Sequence, residues 1–343
     1  MNWLRQEEGG ALSEIFVADI GGTNSRFALF HSDSGRLEMR ERLEFPTWES
    51  GSFHELLERC VRSLLPVLPE RLDMSVFAVP GAVVDACRCN PPNIDWDIDL
   101  RRDLGSVAGL VGGHELFLES RVRMVNDFEA QAFSTRTRCA DAAETVQKGV
   151  LRPGRTVAVL GAGTGLGHCA LVPDNGVLVA VASEAGHAAF PFSGTEEREF
   201  EAFARKRLGV GYCCQEHVVS GSGLTLVHEF LSSERLAPAE VAVRLSEHPQ
   251  TVRWFARFYG RAARQYVLTV MAAGGLWLSG GVAVKNPLLV LDPSFLEEFL
   301  DCPGFGALLG EVPVRLLAGE DNGLFGAAFY GLQELNRLAR EDG

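Results

Sequence analysis

The stretch Ile15–Phe30, reading IFVADIGGTNSRFALF, constrains this chain more than any other. Two apolar runs, Ile15–Ala18 and Phe27–Phe30, flank a polar turn from Asp19 to Arg26. The β-branched and aromatic residues suit strands, and the Gly21–Gly22 pair suits a turn that needs φ > 0. Such a turn points backbone N–H groups into one concavity, with the Thr23 and Asn24 side chains beside them. That is a cradle for phosphate oxygens. Asp19, at its mouth, is a candidate to hold a metal ion through water. A plain hairpin is the competing reading of a lone DxGGT, and the rest of the chain decides between them.

Composition narrows the nucleotide chemistry. The chain has 343 residues, 46% hydrophobic and 22% charged, which fits two domains with a substantial core. Its 32 basic residues against 45 acidic ones leave −13 with no basic stripe, so nucleic acid is not an expected partner. Lysine occurs only at Lys148, Lys206 and Lys285, and none of these sits in GxxxxGK[ST]. A Walker A loop is therefore excluded, and any nucleotide site is of another type.

The eight cysteines contain no CxxC, and Cys87/Cys89 and Cys213/Cys214 lack a partner at zinc-finger spacing. Thiols that are buried or incidental in a reducing cytoplasm are expected. The opening MNWLRQEEGG has no apolar core of a signal peptide, so a cytoplasmic location is expected. Tyr266–Val284 carries no charge over nearly a membrane span. Gly274–Gly275 and Gly280–Gly281 split it, so it reads as a helix end, a strand and a turn.

Along the chain, Arg36–Phe45 reads as a third strand completing a meander. Ser52–Leu65 places Phe53, Leu56, Leu57, Cys60, Val61, Leu64 and Leu65 at helical spacing. Met74–Val79 is a short buried strand ending at Pro80–Gly81. Within Ala82–Leu100, Asn90–Pro91–Pro92–Asn93 reads as a loop, with Trp96 packed or walling a pocket. A helix near Arg101–Leu110 and a strand at Val122–Val125 follow. The pattern weakens between Thr135 and Pro153, where the main boundary is placed. The second half repeats the theme: strand Val157–Leu160, glycine turn, then a hairpin of His168–Val172 and Val177–Val181. Helices are expected at Glu196–Leu208, Leu224–Leu231 and Val252–Met271, with strands at Leu276–Ser279 and Val314–Leu317. Asp321–Leu338 closes the chain as a helix with Gly323 and Gly326 on a close-packing face. Two similar α/β halves are expected.

Three further motifs carry chemistry. The run Gly161–Gly167, GAGTGLG, fails the dinucleotide fingerprint, because GxGxxG counted from Gly161 lands on Leu166 and from Gly163 on His168. A strand-like run follows it where that fingerprint demands a helix. It reads as a second phosphate turn, with a simple hairpin as the alternative. Val125–Phe128 puts Asp127 at the end of a buried strand, as a cleft carboxylate or a helix cap. Ser183–His187 sets Glu184 and His187 three residues apart beside a glycine. A zinc pair there has no HExxH spacing and no clear third ligand, so hydrogen bonding to a polyol is the better reading.

Asp19–Arg26, Asn126–Asp127, Gly161–Gly167, Glu184–His187, Glu216 and Leu278–Val282 occur in the order found in bacterial glucokinases. The chain resembles their ATP-dependent group without the structural zinc motif, within the hexokinase–actin superfamily, from about Ile15 to Leu332. The resemblance implies a two-domain α/β actin-like ATPase (ribonuclease H-like) fold with a cleft between domains, divided as 1–137 plus 321–343 and 138–320. It implies transfer of the γ-phosphate of ATP to the 6-hydroxyl of glucose with Mg²⁺, in a homodimer.

The residue roles come by the same resemblance. Asp19, Gly21, Gly22, Thr23 and Asn24 are similar to the first phosphate loop, with Asp19 placing Mg²⁺ through water. Gly161, Gly163, Thr164 and Gly165 resemble the second. Leu278–Val282, with Gly280 and Gly281, resembles the adenosine segment. Asn126, Asp127, Glu184, His187 and Glu216 resemble the sugar set with Asp127 as base, and Asn93 matches a further sugar-side asparagine.

Ala185 departs from the glycine usual in the ExGH motif. Pro91–Pro92 is an insertion beside Asn93, and Ser222 stands where proline or another residue occurs. Other hexoses as acceptor and polyphosphate as donor remain open. A sugar-sensing regulator on the same fold would carry a basic DNA-binding segment ahead of Ile15, and the fourteen residues there are not expected to form one. A bare ATPase has no need of Asp127, Glu184 and His187.

Overall fold

The computed structural model describes residues 12–107 and 116–341, in two compact units, Met1–Asp141 with Gly319–Gly343, and Ala142–Ala318. The opening MNWLRQEEGG and the end of the helix expected over Arg101–Leu110 lie outside the described residues. The described helix there is Leu100–Val107.

The first unit contains β1 (Ser13–Ile20), β2 (Asn24–Asp33), β3 (Arg36–Pro46), β4 (Met74–Val79), the short strands β5 (Val83–Val84), β6 (Arg88–Cys89) and β7 (Ile98–Asp99), and β8 (Val122–Asn126). Its main sheet runs β3-β2-β1-β4-β8, antiparallel through β3, β2 and β1 and parallel from β1 to β4 to β8. Strand periodicity divides β1 between two cores. Phe16, Ala18 and Ile20 join the cluster under helix Phe53–Leu64, while Ile15 and Val17 face the cluster of the last helix, Asn322–Glu341. Helix Phe53–Leu64 starts where the Ser52 side chain accepts from the Glu55 N–H, and it buries the apolar residues its spacing predicts except Leu65, which caps its end and is exposed.

Gly326 gives the last helix its closest approach. A β-carbon there would collide with the Ala130 carbonyl on helix Asp127–Ser134. Asn90–Asn93 is loop, as expected, and on either side of it β5, β6 and β7 pair into a small antiparallel sheet. Two-residue strands carry no readable alternation, which is why the pattern missed them.

The second unit contains β9 (Glu144–Gln147), β10 (Val157–Ala162), β11 (Leu166–Asp174), β12 (Val177–Ser183), β13 (Gly275–Ser279) and β14 (Val314–Leu316), in the order β12-β11-β10-β13-β14-β9. The run from β12 to β14 repeats the first sheet: an antiparallel three-strand meander extended by two parallel strands. The two similar halves expected from the sequence are thus present. Strand β9, in the stretch where the pattern weakened, pairs antiparallel with β14.

Helix Pro249–Val270 supports this sheet through Phe255, Tyr259 and Ala263. The buried Tyr259 hydroxyl lies 3.3 Å from the Ala162 nitrogen and 3.4 Å from the Leu160 carbonyl oxygen, which ties the helix to the end of β10. Tyr266–Val284 resolves into the end of that helix, β13, and a turn into helix Gly281–Lys285. Among the described residues no helix is long and apolar enough to cross a membrane.

Candidate active site

Parallel pairing sets the active end of the first unit. Asp19 pairs in register with Ala78, and Val79 with Asn126, so β1, β4 and β8 finish at one sheet edge. In α/β sheets ligands bind beyond such carboxyl ends. The Gly21–Thr23 turn connects β1 to β2 there, closed by the Gly21 N–H donating to the Asn24 carbonyl at 3.1 Å. A β-carbon on Gly21 would lie 2.6 Å from that carbonyl oxygen, so only glycine fits. Gly22 lies against the backbone of Asn93, whose φ of 65° is left-handed. Asn93 is thus a neighbour of the Gly21–Thr23 turn.

Thr47, which sequence reasoning passed over, holds this turn from behind. Its hydroxyl donates to the Gly21 carbonyl at 2.6 Å, its N–H donates to the Thr23 carbonyl at 2.9 Å, and its Oγ1 lies 2.8 Å from the Ser25 hydroxyl. Thr47 and Ser25 are buried.

Asp19 sits beside Gly323 at the start of the last helix, where a β-carbon would overlap the carboxylate. Burial pushes its pKa up to about 6, with Arg26 pulling the other way. Its carboxylate makes no hydrogen bond among the described residues. A half-buried carboxylate without a donor is a fitting partner for a hydrated divalent cation.

Asn126 is the N-cap of helix Asp127–Ser134. Its Oδ1 accepts from the Phe128 N–H at 2.8 Å, its Nδ2 donates to the Gly81 carbonyl at 2.9 Å, and Glu129 accepts from its N–H to complete a capping box. The cap is therefore Asn126, and Asp127 is the first residue of the helix. The Phe128 N–H also donates to Asp127 Oδ1 at 2.9 Å, which fixes the carboxylate at the strand end.

In the second unit β10 continues through Gly161 and Ala162, and the turn Gly163–Gly165 is closed by the Gly163 N–H donating to the Gly165 carbonyl at 2.9 Å. Three other segments converge on it. The Gly221 N–H, at the start of helix Gly221–Ser232, donates to the Gly163 carbonyl at 2.9 Å. Gly280, at φ 87°, lies so close to Ala162 that a β-carbon would strike its backbone. Gly281 has open space on its β-carbon side, so the chain there leaves room for a ligand to approach. Glu216 Oε2 lies 2.7 Å from where a Gly165 β-carbon would stand. Thr164 is exposed at the tip.

Glu184, His187 and Glu216 are gathered at this turn. His187 Nδ1 is 3.6 Å from Glu216 Oε1, and His187 Nε2 is 3.8 Å from Glu184 Oε2. Gly186 between them packs on the Leu166 carbonyl and excludes any side chain. Cys214 is a neighbour that sequence reasoning did not place here: its Sγ belongs to one cluster with His187 and Glu216.

A family profile for glucokinase matches residues 16–334. The chain belongs to the glucokinase family. It is 30% identical to the glucokinase of Stenotrophomonas maltophilia, with 92% of this chain and 94% of that one covered. It is 27% identical to the glucokinase of Synechocystis sp., with 94% and 99% covered. Among solved structures it is similar to a glucokinase from an Antarctic psychrotroph, with a TM-score of 0.78 at 23% identity, covering 93% of this chain and 98% of that one. The fold of this glucokinase-family chain is that of the actin-like two-domain ATPases.

Proposed function

We propose that this chain is an ATP-dependent glucokinase, transferring the γ-phosphate of ATP to the 6-hydroxyl of glucose and releasing ADP. The observation that carries this reading is the placement of Glu216, with His187 and Glu184 beside it, directly on the Gly163–Gly165 turn. Acceptors of this kind suit vicinal hydroxyls, and the turn beneath them suits phosphate oxygens.

Phosphoryl transfer through a loose transition state asks mainly for positioning and charge stabilisation. Asp127 is assigned as the base that takes the 6-hydroxyl proton. An aspartate suffices, because that proton leaves late. Its backbone-anchored carboxylate and the Asn126 cap hold it in one orientation. Glu184, His187 and Glu216 hydrogen-bond ring hydroxyls, with Asn126 and Asn93 as further sugar-side groups.

The backbone N–H groups of Gly21–Asn24 and of Gly161–Gly165 receive phosphate oxygens, and Gly280–Gly281 receives the adenosine. Asp19 would hold Mg²⁺ through water. When bound, that ion neutralises charge on the transferring group. The family resemblance also supports a homodimer, which light scattering checks.

The test is ADP release with Mg-ATP across a panel of hexoses with a no-sugar control. Release dependent on glucose supports the reading. Release with a different hexose keeps the mechanism and changes the acceptor, and release without sugar defeats it.

A further inference from the structure

The His187 imidazole and Glu216 carboxylate assigned to the sugar have a third neighbour, the Cys214 thiol. Residues 188–190 pair with 213–215: the Gln215 N–H donates to the Ala188 carbonyl at 2.9 Å, and the Phe190 N–H to the Cys213 carbonyl at 2.9 Å. This pairing sets Cys214 beside His187, and Glu216 follows two residues on. A ligand atom from each, the His187 ring nitrogen, the Cys214 Sγ and a Glu216 oxygen, lies within 4.8 Å of the other two. The backbone at Cys214 is itself held in place, its N–H donating to His217 Nδ1 at 3.2 Å.

We propose that Cys214, His187 and Glu216 form a binding site for a thiophilic divalent cation such as Zn²⁺, and that its occupation excludes sugar. The donor set is one sulfur, one nitrogen and one oxygen, and the thiolate selects against Mg²⁺ and Ca²⁺. Tetrahedral zinc with bonds of about 2.0–2.3 Å separates its ligand atoms by about 3.3–3.6 Å. His187 Nδ1 and Glu216 Oε1, at 3.6 Å, already stand at that spacing. Three protein ligands leave a fourth position for water. On binding, the Cys214 thiol gives its proton to solvent and its sulfur lone pair to the metal, with no change in oxidation state.

The exclusion of sugar rests on the function proposed above, since a cation held by His187 and Glu216 takes the lone pairs assigned to accept from ring hydroxyls. The metal site itself does not rest on it.

Co²⁺ is the direct probe, because a cobalt–thiolate bond adds an intense near-ultraviolet charge-transfer absorbance that oxygen and nitrogen ligands do not give. The reduced full chain, titrated without nucleotide or sugar, is expected to develop this band to one equivalent. The band is expected to disappear in Cys214→Ser, to survive in Cys213→Ser, and to be displaced by Zn²⁺ and by glucose. No band in the wild type, or an unchanged band in Cys214→Ser, overturns the site.

In kinetics with buffered free Zn²⁺, the apparent sugar KM is expected to rise at least tenfold with the ATP KM unchanged, and Cys214→Ser to lose that response. Inhibition that sugar does not relieve overturns the exclusion. If Cys214→Ser does not fold, the wild-type band and its displacement by glucose decide. A cobalt band in a chain that phosphorylates no hexose defeats the kinase reading and leaves the site standing; glucose phosphorylation without the band does the reverse.

Discussion

Glu216 Oε2 lies 2.7 Å from where a β-carbon on Gly165 would stand, so a carboxylate assigned to sugar rests on the bare backbone of a turn assigned to phosphate. The absence of one side chain couples the two subsites. Gly165→Ala is expected to displace Glu216 rather than unfold the protein, because the colliding atom is the free end of a side chain. Steady-state kinetics should give a sugar KM raised about tenfold, in line with about 1.4 kcal/mol of lost binding, with the melting temperature nearly unchanged.

Glu216→Gln tests the same carboxylate by charge. It is expected to raise the sugar KM more than the ATP KM, since a site built to accept hydroxyl protons discriminates strongly. A defect confined to ATP would remove Glu216 from the sugar set.

Thr47→Val is expected to loosen the first phosphate turn by leaving the Gly21 carbonyl and the Ser25 hydroxyl short of a partner. The loss in stability is about 1–3 kcal/mol, read by denaturant unfolding. The ATP KM should rise while the sugar KM stays, and Thr47→Ser should restore both ATP affinity and stability.

Asp19 gives a stability prediction of opposite sign. Its pKa is raised from 3.8 to about 6 in the folded chain, so its contribution to stability is fully present below about pH 4 and is lost as pH rises through 6. At pH 7 the buried charge costs on the order of 3 kcal/mol. Without Mg²⁺, Asp19→Asn is expected to melt above the wild type at pH 7, with the gap closing between pH 6 and pH 4, and to be catalytically impaired. Thermal unfolding across that range checks both the sign and the window.

What the sequence disclosed follows the range of the interactions. The Asp19–Arg26 turn, helix Phe53–Leu64 and strand Met74–Val79 are written locally, in glycine placement, cap and periodicity, and all are legible. Gly323 and Gly326 on a close-packing face are legible for the same reason. Thr47 and Cys214 are not. Thr47 reaches the turn only through the pairing of β2 with β3, and Cys214 reaches His187 only through the pairing of 188–190 with 213–215. No local spacing rule relates Cys214 to His187. Strand β9 is short and at the sheet edge, where exposure erases the apolar pattern.

The proposed phosphoryl transfer from ATP to the sugar turns on Asp127 as the base. Glucose 6-phosphate formation and glucose binding should be measured side by side on the wild type and Asp127→Asn. The expected result is a turnover lower by at least about 10²-fold, the range of a lost general base, with glucose affinity within several-fold. Near-normal turnover in Asp127→Asn would contradict the account.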